Sequence, residues 1–213
     1  MIAHSAMPLS HTLIKYNGGM GGISIGRYDG ADDPGLDRLV DMFNAAGFEC
    51  HRILGDVREP IWRKLLANVS VNAVAALTGL TGREVQEIEP ANRLVRALAQ
   101  EVAAVARAQG FTFAELENPG DYIIKTLDWV GDNKVSMVQD LEAGRRTEID
   151  TLNLAVVERG ERYGVDTPLN WAIGTLIQTR EEKMLRDRQA KETAAAAEPV
   201  SVGSNGASGA GSA

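Results

Sequence analysis

Two periods of hydrophobic and polar positions divide this chain. In its first fifty-odd residues the apolar side chains fall in short runs of strand length, HTLIKYN, GGISIG and FECHRIL. Between the second and third, DPGLDRLVDMFNAAG places Leu36, Leu39, Val40 and Phe43 at helical spacing, after a turn-like start and before Gly47. From Asp56 to about residue 189 the period is helical almost throughout. VREPIWRKLLANVSVNAVAALTG predicts one long helix with Gly79 near its end, and Pro90 opens the next, closed by Gly110. Residues 118–121 form a Gly/Pro/Asp break. Three further helices are predicted near 135–143, 148–163 and 169–187, the last two punctuated by Gly164 and Pro168. From Ala190 the composition collapses into Ala, Gly and Ser, which predicts a disordered tail over 190–213.

The stretch NGGMGGISIG, residues 17–26, invites comparison with a phosphate-binding loop. Such a loop follows a strand and opens a helix, whose N–H groups and dipole then face the phosphates. Here the glycines lead into the β-branched ISIG, and Ser24 stands where the third glycine of G-x-G-x-x-G belongs after Gly19 and Gly21. The run is better read as the tip of a hairpin joining two strands. Two strands and one helix do not make a doubly wound nucleotide-binding sheet.

Composition narrows the partners. A net charge of -7 over 213 residues favours neither nucleic acid nor an anionic membrane. Cys50 stands alone, so no intrachain disulfide forms. No run reaches the roughly 18 apolar residues of a membrane span, and the N-terminus lacks the pattern of a signal peptide, so a soluble cytoplasmic protein is expected. His4, His11 and His51 show no metal-ligand spacing, so no metal site is expected.

Two segments hold candidate chemistry. Lys64, Asn68 and Asn72 lie four residues apart on an otherwise apolar helix and share one face. Facing a cleft, the lysine would donate a proton and the amides would fix substrate oxygens. Desolvation by so apolar a helix would depress the lysine's pKa toward neutrality. The plainer reading is a lysine reaching to solvent and two amides satisfied in the interior. SMVQDLEAGRRTEID, residues 136–150, gathers Ser136, Gln139, Asp140, Arg145, Arg146, Thr147, Glu148 and Asp150. Taken alone, the segment is better explained by caps, helix-dipole partners and solvated charges.

IWRKLLANVSVNAVAALTG, SMVQDLEAGRRTEIDTLN and YGVDTPLN together resemble the C-terminal domain of the ketopantoate reductases (2-dehydropantoate 2-reductases) over about residues 8–187. The resemblance implies an α+β chain: residues 1–56 as the end of a Rossmann-type NADP-binding domain, then 57–189 as an all-α domain like the C-terminal domain of phosphogluconate dehydrogenases. It implies Lys64 and Glu148 as catalytic residues, Lys64 as the proton donor and Glu148 orienting the substrate. Asn68, Asn72 and Ser136 would bind the substrate. The implied reaction is NADPH-dependent reduction of a 2-oxoacid, 2-dehydropantoate to pantoate, with another oxoacid as an alternative. The cofactor-binding residues stay unknown, because the G-x-G-x-x-G fingerprint and the first βαβ units of the family are absent. The family's Asn-Pro is Asn72-Ala73 here. A different class of reading is a non-catalytic helical module for homodimerisation or for pairing with a separate nucleotide-binding chain.

Overall fold

In the structure, a computed structural model, residues 2–8 and 10–197 are described. The remainder of the predicted tail, 198–213, and the side chain of His4 lie outside what is described. Strand β2 (Ile14–Ile25) is the centre of a three-stranded sheet. It pairs antiparallel with β1 (Ile2–Pro8) and parallel with β3 (Cys50–Arg52), and α1 (Pro34–Ala45) makes the crossover between β2 and β3. The glycine run is therefore not a hairpin tip. It lies inside β2, and the chain reverses between Pro8 and Ile14 instead. Gly22 shows one reason for glycine there. Its φ is +60°, and a Cβ would sit 2.2 Å from the carbonyl oxygen of Glu49, which accepts the Ile23 N–H at 2.7 Å.

The rest of the described chain is helical. α2 (Arg58–Thr78) is its axis, in contact with α3 (Gly82–Glu87), α4 (Glu89–Ala108), α5 (Pro119–Val130), α6 (Ser136–Glu142) and α8 (Pro168–Ala197). α7 (Asn153–Tyr163) packs on α4 and α8. Every residue of α2 from Val69 to Ala76 is buried, as expected of a helix apolar around its circumference. Fully buried Leu66, Leu98 and Ile123 each contribute about 2 kcal/mol by leaving water.

Beyond the sheet, three helices also differ from the sequence expectation. α5 begins where a break was predicted, because Asn118 is its N-cap and Pro119 its first residue. The short α3 is opened by a capping box in which Thr81 and Glu84 each bond the other's backbone N–H. α8 continues through Ala190–Ala197, where a disordered tail was expected, and the alanines there are strong helix formers.

Buried polar groups tie these helices together. Asn153 on α7 donates through Nδ2 to the Val69 carbonyl of α2 and to Asn170 Oδ1 of α8, both at 3.0 Å. Asn170 Nδ2 donates to Glu101 Oε2 of α4 at 2.7 Å. The Glu101 carboxylate also accepts the N–H groups of Leu169 and Asn170 at 2.9 Å, capping α8. A carboxylate at a helix N-terminus is favoured by the dipole as well.

Two substitutions probe this network. Glu101→Ala strands several donors at the start of α8 and is expected to cost about 2 kcal/mol of unfolding free energy in urea titrations. The second concerns position 73. In a regular helix the N–H of Ala73 serves the Val69 carbonyl, and Asn153 already provides that carbonyl with another donor. Ala73→Pro is therefore expected to cost well below the roughly 3 kcal/mol of an interior helical proline, and more once Asn153 is replaced by Leu.

Candidate functional site

The candidate lysine enters where α2 emerges from its anchored first turns. The Asp56 carboxylate accepts the Arg58 N–H at 2.9 Å and pairs with the Arg58 guanidinium, which holds its carboxyl below the ordinary range. Arg63 bridges Glu59 at 2.5 Å and Glu115 at 3.0 Å, and its guanidinium lies 5.0 Å from the Phe113 ring centroid. Trp62 is buried against Phe111 of the same 111–115 segment, with ring centroids 5.7 Å apart. These contacts fasten the turn of α2 that carries Lys64 to the 111–115 segment.

Along α2 the three predicted residues form a line that runs from water into the bundle. Lys64 is exposed, Asn68 is half-buried, and Asn72 is buried at 5% exposure. The desolvation of Lys64 expected from its apolar helix does not occur in this chain. The lysine precedes the fully enclosed segment by more than a turn.

Ser136 is the first residue of α6, which packs directly on α2. It is exposed, and the turn before it is fastened by Gln139 Nε2 donating to the Lys134 carbonyl at 2.8 Å and by Lys134 pairing with Glu142 at 2.5 Å. Glu148 is also exposed. It precedes a 3-10 turn over Ile149–Thr151, and its carbonyl accepts the N–H groups of Thr151 and Leu152 at 3.1 and 3.0 Å. That turn packs on α7 and α8, and α8 in turn packs on α2. The structure thus groups Lys64, Asn68, Asn72 and Ser136 on the α2–α6 pair. Glu148 belongs to the neighbouring α7–α8 pair.

Other charges of the 136–150 cluster are locally paired. Arg145 donates to Asp140 Oδ1 at 2.7 Å, and Arg146 donates to Glu182 at 3.2 Å. Glu181 is the member that sequence reasoning missed. It is 2% exposed, on the same line of α8 as the buried Ile173 and Ile177, and accepts the Thr147 N–H at 2.6 Å. An acidic residue at an apolar register position was the available signal.

Two open surface grooves run along α8, one beside Thr175, Gln178 and Glu182 and the other beside Leu141, Arg180 and Lys191. Neither includes a candidate residue. Among the described residues no group of three or more His, Cys, Asp or Glu is placed to hold a metal ion, and no helix is long and apolar enough to cross a membrane. A dinucleotide's phosphates find no cradle in the glycine run, because it lies within a strand and points no helix N-terminus outward.

Comparison with known proteins places this arrangement. Residues 56–181 match the family described as ketopantoate reductase PanE/ApbA C terminal. The 2-dehydropantoate 2-reductase of Halobacterium salinarum is 30% identical over 177 residues, covering 82% of this chain and 56% of that protein. The crystal structure of a PanE/ApbA family ketopantoate reductase from Ralstonia eutropha superposes with a TM-score of 0.72 at 26% identity, over 87% of this chain and 59% of that one. A D-mandelate dehydrogenase solved with NADH shares the fold, with a TM-score of 0.75 at 21% identity over 85% of this chain and 60% of that one. The chain spans a little over half the length of the curated relatives it matches first. With its family match covering more than half of its residues, the chain belongs to the ketopantoate reductase family, whose C-terminal region it carries.

Proposed function

We propose that this chain is the substrate-side portion of an NADPH-dependent reductase that converts 2-dehydropantoate to pantoate. The observation that carries the reading is the line of Lys64, Asn68 and Asn72 on α2, the helix on which α6, beginning at Ser136, packs. Reduction of a ketone at C2 turns the carbonyl oxygen into an alkoxide, which needs a proton. Lys64 Nζ donates that proton, and the amides of Asn68 and Asn72 hold the oxygens of the substrate. Ser136 and Glu148 complete its orientation from the facing segments. A pyridine nucleotide supplies the hydride in this class of reaction, and no described residue of this chain cradles its phosphates.

Exposed apolar side chains support the reading as one part of a larger active unit. α1 buries none of its residues, and Leu39, Met42 and Phe43 on it are exposed, as are Phe48, Leu54 and Ile61 nearby. Such exposed apolar side chains suit burial against a further nucleotide-binding α/β unit, within one polypeptide or from a separate chain. The position of Lys64 at the exposed end of its line suits the same arrangement, because a second unit closing over it would desolvate it.

Binding and turnover test the proposal separately. Calorimetric titration of the full chain with 2-dehydropantoate is expected to show binding that Asn68→Ala weakens by about tenfold, the worth of one substrate hydrogen bond. Joined to the part of the Halobacterium salinarum relative that this chain does not span, it is expected to oxidise NADPH when 2-dehydropantoate is added. Lys64→Ala in that joined protein should lower kcat by about a hundredfold or more. Near-normal turnover without Lys64 would overturn its role.

A further inference from the structure

We infer that Glu181 is a positioning residue, which sets the direction of Glu148 by holding the backbone immediately before it. This rests on the reading of Glu148 as a substrate contact. Glu181 is enclosed to 2% exposure, on the line of α8 that otherwise carries Ile173, Ile177 and the partly buried Met184. A carboxylate is costly in such a place unless it accepts strong hydrogen bonds. Its Oε1 accepts the Thr147 N–H at 2.6 Å, a short charge-assisted bond to the residue next to Glu148. Arg146, at 3.8 Å from Oε2, is beyond hydrogen-bond distance, and its guanidinium donates to Glu182 instead. The bond to the backbone is thus the one direct hydrogen bond described for the carboxylate, and the Arg146 ion pair at 3.8 Å assists its burial.

The segment is held from two sides. The Arg145 N–H donates to the Asp140 carbonyl at 2.8 Å, tying the loop to α6, and Thr147 is tied to α8. Thr147 Oγ1 then accepts the Ile149 N–H at 3.2 Å and starts the turn that follows. Glu148 sits between these two fastenings with its own side chain exposed. Its direction is therefore fixed by backbone anchors rather than by packing of the side chain. The anchor comes from α8, which packs on α2, so the position of Glu148 is referred back to the helix carrying Lys64.

The test compares Glu181→Met, which removes the acceptor at similar volume, with Glu181→Gln, which keeps one. In the full chain, amide exchange at Thr147 and its neighbours is expected to quicken by at least about tenfold in Glu181→Met, with the core of α4 unchanged. Glu181→Gln should stay within about threefold of the parent. Calorimetric titration with 2-dehydropantoate supplies the second readout. Glu181→Met should weaken binding about as much as Glu148→Ala does, and the double variant should be no weaker than Glu148→Ala alone. Unchanged exchange in Glu181→Met overturns the inference, as does a fully additive loss of binding. Should Glu181→Met fail to fold, Glu181→Gln decides, because a tenfold opening with the acceptor retained overturns the inference as well. If the parent chain binds no 2-dehydropantoate, the proposed function fails, and the exchange result still decides whether Glu181 is the anchor.

Discussion

The hydrogen bond from Asn153 to the Val69 carbonyl is the contact on which the helical part depends. α2 is buried on all sides over two turns, and much of what it offers its neighbours there is Ala and Val. Apolar contact of that kind is strong and carries little direction. It would let a smooth helix slide or rotate with small loss. An amide from α7 that donates to one particular carbonyl of α2 and to Asn170, which in turn donates to Glu101, gives the packing a register. Two glycines make the supporting approach of α7 and α8 possible. A Cβ on Gly160 would lie 2.6 Å from the Val165 carbonyl oxygen, and one on Gly174 would lie 2.7 Å from Leu154.

That register matters to the proposed reaction because the residues proposed for it lie on separate elements. Lys64, Asn68 and Asn72 need no help to share a face, since one helix carries them. Ser136 and Glu148 arrive on other elements, and their placement against α2 is a matter of tertiary packing. A substrate held as proposed, from three directions, would respond to small errors in any of them. The fold meets this by fastening both later segments, one through α6 and one through the buried carboxylate of Glu181.

The sequence was most readable where one element carries the whole signal. The long helices α2, α4, α7 and α8 follow from period, and the Lys-Asn-Asn line follows from spacing. Asn118–Asp121 was misread because the residues that break chains also start helices, and only the following helical stretch separates the two cases. α3 has six residues, too few for a period to show. The glycine run read as a turn because glycine has no preference for strands, and here the neighbouring strands impose the conformation. Ser136 and Glu148 could be singled out only by resemblance. Glu181 shows in the local pattern only as an acid at an apolar register position, and its partner, 34 residues away, does not show at all.

The far end of α8 leads away from all of this. Its residues from Arg186 to Ala194 are exposed, yet they continue a helix whose earlier turns are packed against α2, α4 and α7. From Arg186 to Ala197 that is an outward strut of about 18 Å at the usual rise per residue. A probe attached near its tip would move with the bundle rather than wander around it. The strut thus offers a fixed reference point for spectroscopic distance measurement to the Lys64 face, obtained without disturbing a buried side chain.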